Sequence, residues 1–264
     1  GFTFLGWNTL ANGTGATIAV GPGYLPPSNI ILYAKWSANP YSVIFDKNTP
    51  TGVAATGTMA NMSIVAGTAK ALTTNGFARV GYVFRNWNSL ADGTGTTYAD
   101  LANVTFFANT TVYAQWNPIL TYNINGGDGG TVPAAVNVAS GSRVAAASST
   151  ITRTGFTFAG WNTAANRSGT PYLVGESITV TVPTTVFAMW RLTVTYSGNT
   201  PTSGSVPAAT IVGEFSAVTL PGNTGNLVKT GLIFVGWNTA TNGTGTRYLV
   251  GETFTPTANI TLHA

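Results

Sequence analysis

Along the chain, apolar and polar positions alternate in short runs, separated by clusters of Gly, Asn, Thr and Pro. In Leu32-Tyr33-Ala34-Lys35-Trp36, strand periodicity puts Leu32, Ala34 and Trp36 on one face and Tyr33 and Lys35 on the other. The runs Val112 to Trp116 and Val186 to Trp190 repeat that pattern. Three further strand-like segments, Tyr41 to Phe45, Leu120 to Ile124 and Leu192 to Tyr196, each lead through a Gly-rich turn. The segments that follow are Val53-Ala54-Ala55, Val132-Pro133-Ala134-Ala135 and Val206-Pro207-Ala208-Ala209, and the pattern predicts a hairpin each time. Phe156, Phe158 and Gly160 share a face, but Trp161 has the opposite parity. Either that strand is buried on both sides or a bulge at the glycine re-aims the ring. The 32 Gly and 13 Pro weaken helix interiors and abundant Thr and Val suit strands, so the reading is mainly β, α+β at most.

These segments recur. GWNT stands at Gly6 to Thr9, Gly160 to Thr163 and Gly236 to Thr239, with NWNS at Asn86 to Ser89. The tryptophans Trp7, Trp87, Trp161 and Trp237 are 80, 74 and 76 residues apart, and Trp36, Trp116 and Trp190 follow the first three by 29 residues. The chain therefore divides into the C-terminal half of a first repeat (1–38), a second (39–117), a third (118–191) and a fourth lacking its final residues (192–264). A start at Gly1 without a leader pattern marks it as an excerpt of a longer array.

Five residues after three of these tryptophans stand Asn12-Gly13, Asp92-Gly93 and Asn242-Gly243, each followed by Thr-Gly. Asn-Gly and Asp-Gly readily take positive φ, which predicts type I′ hairpin turns. The third repeat has Asn166-Arg167-Ser168-Gly169 instead, and a different turn is expected there. A Tyr stands eleven residues after the Trp in three repeats (Tyr98, Tyr172, Tyr248).

The strand into GWNT, the NGTGTxY turn and the closing LYAxW strand together resemble the Listeria-Bacteroides repeat, the module type of listerial internalin B repeats. The likeness covers essentially the whole chain. Asn86 before Trp87, Ile18 in place of the Tyr and the changed third turn depart from it. The resemblance implies a tandem array of β-grasp-like modules of an exported bacterial protein, set between an adhesive or enzymatic end and an envelope anchor.

Composition fits an array. Charged residues are 7% of the chain, against about 25% in an ordinary domain, so Thr, Asn, Ser and Gly must cover the surface. A module of about 75 residues is marginal alone. Two buried indoles, worth on the order of 4 to 6 kcal/mol each as an upper estimate, would compensate. The expected core is therefore Trp7, Trp36, Trp87, Trp116, Trp161, Trp190 and Trp237, and losing either ring should unfold its module.

Catalytic chemistry finds little material. Cys is absent and the sole His, His263, occupies the place of Tyr33, Tyr113 and Phe187 in the closing strand. That excludes thiol nucleophiles and thiolate metal sites and leaves a His-based triad only His263 to be built on, against which its place in a closing strand argues. Among the seven carboxylates only Glu176 and Glu252 are equivalent, and their expected role is a surface ion pair with Arg153 and Lys229. No calcium loop is visible. Hence no catalytic, cofactor or metal residues are expected, and no cofactor. An isopeptide bond would need a Lys in every repeat, and 118–191 has none. Leu220 to Gly225 imitates a sorting signal with one residue too many.

The partners are not written in the sequence. A pI of 9.4 suits acidic cell-wall or host glycans, but the basic residues are scattered, which argues against nucleic acid. No apolar run is long enough for a membrane span. The expected role is an extracellular stalk or spacer with weak adhesion. A carbohydrate or wall-polymer binding module and a self-assembling filament are the alternatives, the latter because β edges accept strands.

Overall fold

The computed structural model describes residues 1–19, 21, 23–49 and 52–264. Every regular element among them is a β-strand, so the fold is mainly β. Two compact units, Gly1–Asn117 and Pro118–Ala264, divide the chain.

In the first unit, the opening strand Pro40–Asp46 pairs antiparallel with Met62–Val65 and parallel with the closing strand, matching Val43 to Thr110 and Asp46 to Tyr113. Val43, Phe45, Met62, Ile64, Leu72, Phe77, Trp87, Val104, Val112 and Ala114 form its buried core. Residues 1–38 add a separate three-stranded sheet built from Phe2–Asn8, Thr17–Ile18 and Tyr33–Ala38.

The second unit holds two cores. One gathers Leu120, Tyr122, Trp161, Val186, Ala188 and Trp190 with their neighbours; the other gathers Val194, Tyr196, Val218, Leu220, Trp237 and Leu262. A single strand, Thr184–Ser197, closes the first of these and opens the second. Its start pairs parallel with Leu120–Asn123 and its end pairs parallel with Ile260–His263. The repeat boundary at 191/192 thus falls inside a continuous strand, Thr184–Ser197. Alternation explains why one strand can serve twice: Val186, Ala188 and Trp190 face one core, while Leu192, Val194 and Tyr196 face inward further on.

The expected hairpin partners are corrected. Val53-Ala54-Ala55, Val132 to Ala135 and Val206 to Ala209 lie in no strand; the opening strands pair instead with Met62–Val65, Val136–Asn137 and Thr210–Gly213. Pro133 and Pro207 lack the N–H that a ladder needs, and these loops lie against the bridges Thr56 to Ala78, Gly129 to Thr152 and Ser203 to Val228. The parity conflict before Trp161 resolves as a bulge between Phe158 and Gly160, repeated between Phe4 and Gly6. Gly160 has φ 120° and a Cβ there would meet the carbonyl oxygen of Tyr172 at 2.5 Å, so only glycine fits.

Candidate functional site

The tryptophan and turn cluster is the feature the repeats rebuild each time. Trp87, Trp161 and Trp237 are buried, and each packs between the aromatic three residues before it and one from the opening strand. The pairs are Phe84 and Phe45, Phe158 and Tyr122, and Phe234 and Tyr196, with ring centroids 4.7 to 5.1 Å from the indole. The indole N–H groups of Trp161 and Trp237 donate to the carbonyls of Ala147 and Pro221, both at 2.8 Å. Those of Trp116 and Trp190 donate to the carbonyls of Lys47 (2.8 Å) and Asn125 (2.9 Å). Trp190 is buried and Trp116 half-buried. Burying an indole without such an acceptor would cost free energy, so these bonds let the rings be core.

Trp7 and Trp36 depart from the expected core. They are 41% and 58% exposed, and Ala34 is exposed beside them. Both rings still touch Phe4, at 5.4 and 5.2 Å.

The Asn that follows each first Trp is the residue that sequence reasoning passed over. Asn8, Asn88 and Asn162 are buried, and the amide of Asn88 donates to the carbonyls of Gly93 (3.1 Å) and Gly95 (3.2 Å) while its oxygen accepts from the N–H of Leu90 (2.9 Å). Asn8, Asn162 and Asn238 make the corresponding bonds. This amide is the hub of the turn. Its recurrence in GWNT was the available signal, and a glycan would have to compete with the backbone for it.

The turn type is also corrected. Gly13, Gly93 and Gly243 donate to the carbonyls of Leu10, Leu90 and Ala240, so the central pairs are Ala11-Asn12, Ala91-Asp92 and Thr241-Asn242. None of those six takes positive φ; only the glycines do, at 74°, 79° and 78°. A type I′ turn needs positive φ at both central residues, so these are not type I′. Asn12, Asp92 and Asn242 are there for their side chains, whose oxygens accept from the N–H and hydroxyl of the Thr two residues on. The third repeat has the same turn: Arg167 donates to Ala164 with φ 66°, and Asn166 accepts from Ser168. Its guanidinium donates to the carbonyls of Glu214 (2.8 Å) and Trp190 (3.3 Å), which offsets the cost of a non-glycine there.

A second recurrent amide ties the turn to the closing strand. Asn48, Asn125 and Asn199 sit at φ 50°, 46° and 51°. Asn125 donates to the carbonyls of Ala165 and Ala188, both at 2.9 Å, and the other two reach Ala91 with Ala114 and Thr241 with Ala264.

The charged groups serve the backbone. Glu176 and Glu252 accept from the N–H groups of Leu173 and Leu249, and neither pairs with Arg153 or Lys229. Arg153 pairs instead with Glu214 at 2.7 Å, the single salt bridge among the described residues, and Lys229 donates to the carbonyl of Asn199 at 2.8 Å. The N–H and hydroxyl of Thr94 hold the Asp92 carboxyl below its usual range. Thr154, through its hydroxyl and its N–H, does the same for Asp128. His263 faces away from the core side taken by Leu262. Among the described residues no three His, Cys, Asp or Glu side chains cluster as metal ligands would, and no helix is long and apolar enough to cross a membrane.

A family model, the Listeria-Bacteroides repeat domain, matches residues 1–35, 41–115, 119–189 and 193–264. A protein of Evansella cellulosilytica provisionally described as a Gly-rich membrane protein is 35% identical over 174 residues, 61% of this chain and 19% of the relative. A second from the same organism, provisionally described as a membrane protein, is 30% identical over 167 residues, 61% of this chain and 24% of its own. The chain spans about a fifth to a quarter of the length of these relatives. No solved structure matches it.

Proposed function

From the premise that the chain belongs to the Listeria-Bacteroides repeat domain family, we propose that it is a non-catalytic repeat array serving as a stalk or spacer of a bacterial surface protein. One observation carries this reading: the groups the repeats rebuild each time are consumed internally. The second, third and fourth repeats bury Trp87, Trp161 and Trp237 among their own aromatics, and the amides of Asn88, Asn162 and Asn238 bond to their own turns. An active site or ligand shelf would leave recurring polar groups unsatisfied and facing a cleft. Relatives described as membrane proteins support a place at the envelope.

The test displays the chain on a bacterial surface, with a wall anchor after Ala264 and an epitope before Gly1. Antibody access to the epitope should rise stepwise as repeats are added. Access independent of repeat number would defeat the spacer role.

A further inference from the structure

Modular stalks are ordinarily strings of independently folded beads, yet Pro118–Ala264 has no linker between its third and fourth repeats. Thr184–Ser197 passes from one core to the next without a break. Leu120–Asn123 lies parallel to Thr184–Phe187, and Val194–Ser197 lies parallel to Ile260–His263. When the ends are drawn apart, parallel neighbours at the two ends of a repeat slide past each other along their length. All the bonds of the ladder then resist together, whereas a ladder opened from one end gives way a bond at a time. The load passes from one strand to the next and bypasses the hairpin turns. On the solvent side each ladder carries a threonine pair, Thr121 with Thr185 at 2.8 Å and Thr195 with Thr261 at 2.7 Å.

The junction carries a latch. Thr210–Gly213 of the fourth repeat pairs with Arg191–Val194, and the N–H of Glu214 donates to the carbonyl of Trp190 at 3.0 Å. Two third-repeat arginines converge there: Arg153 bonds the Glu214 carboxylate at 2.7 Å, and Arg167 bonds the carbonyls of Glu214 and Trp190. Both partners of the ion pair are largely shielded, with side chains 24% and 12% exposed, so the pair is screened less than a surface one. The guanidinium of Arg167 is available there only because this repeat has Arg where the others have Gly13, Gly93 and Gly243.

We propose that the third and fourth repeats carry tension as one body, loaded in shear through their parallel ladders and latched at Glu214. The proposal holds or fails whatever the stalk is for, because it concerns how the fold yields to force. The test stretches the full chain between handles at its two ends and reads each release of length. Residues 118–264 should let go in a single step of about 500 Å, at roughly 3.5 Å per residue. Two steps of about half that length overturn the proposal.

Glu214→Gln should split the step in two, and so should Arg167→Gly, which keeps the positive-φ turn and removes only the guanidinium. A single step in both variants overturns the latch. The chain has no native cysteine, so handles can be moved to Ile119→Cys and Pro183→Cys, at one end of the first parallel ladder. Opening it from that end should need at least twofold less force than pulling from the ends of the chain. Equal forces overturn the shear geometry.

Discussion

At the scale of single residues, the most informative side chain is an uncharged amide. Asn162 is buried, with its amide donating to Gly169 and its oxygen accepting from Ala164. Asn162→Ala leaves these backbone groups unpaired away from water, and the expected cost is about 2 to 3 kcal/mol, read as a lower urea midpoint. The acids give a second expectation. Thr94 and Thr154 depress the folded-state pKa of Asp92 and Asp128 below the unfolded value of about 3.9. Their contribution is therefore complete above that value and is lost as pH falls through the folded pKa. The melting temperature should drop on acidification below about pH 4, and Asp92→Asn, which copies Asn12 and Asn242, should shallow the drop. A melting temperature that rises on acidification would contradict the assignment.

At the scale of elements, the turn after each tryptophan shows how far local sequence could be read. Asn-Gly correctly marked the place and the glycine at positive φ. It misled on type, because the side-chain bond from Asn12 or Asp92 to the following Thr acts on a conformation that needs only one left-handed residue. Asn125 and its equivalents were not legible at all: their distance to the next Trp varies with loop length, and the carbonyl partners of Asn125 are 40 and 63 residues away. Asn125→Gly keeps the left-handed backbone and removes the two bonds. The expected loss is about 1 to 2 kcal/mol, checked by denaturant unfolding. No change would show that the amide merely tolerates φ 46°.

At the scale of the whole molecule, six of the seven tryptophans should divide into two classes, with the half-buried Trp116 between them. Iodide should quench Trp7 and Trp36 and spare Trp87, Trp161, Trp190 and Trp237, so Trp7→Phe and Trp36→Phe together should remove most of the quenchable emission. Unchanged quenching would place the open rings elsewhere. The spacing that identified these residues carries no information on exposure. Trp36 and Trp190 occupy the same place in the repeat, yet one is 58% exposed and the other buried. Trp190 is held by a residue distant in sequence, since its indole N–H donates to the carbonyl of Asn125, 65 residues away.

What the sequence determined by itself was the period, the strand-rich character and the family. Each of these follows from local alternation and from residues recurring at near-constant separation, which need no knowledge of what packs on what. Tertiary structure alone decided that the third and fourth repeats share a strand and that Glu214 joins two arginines from the preceding repeat. Those outcomes depend on contacts between residues tens of positions apart. Alternation specifies which side of a strand is apolar, but the partner that buries it is chosen only when the strands pair.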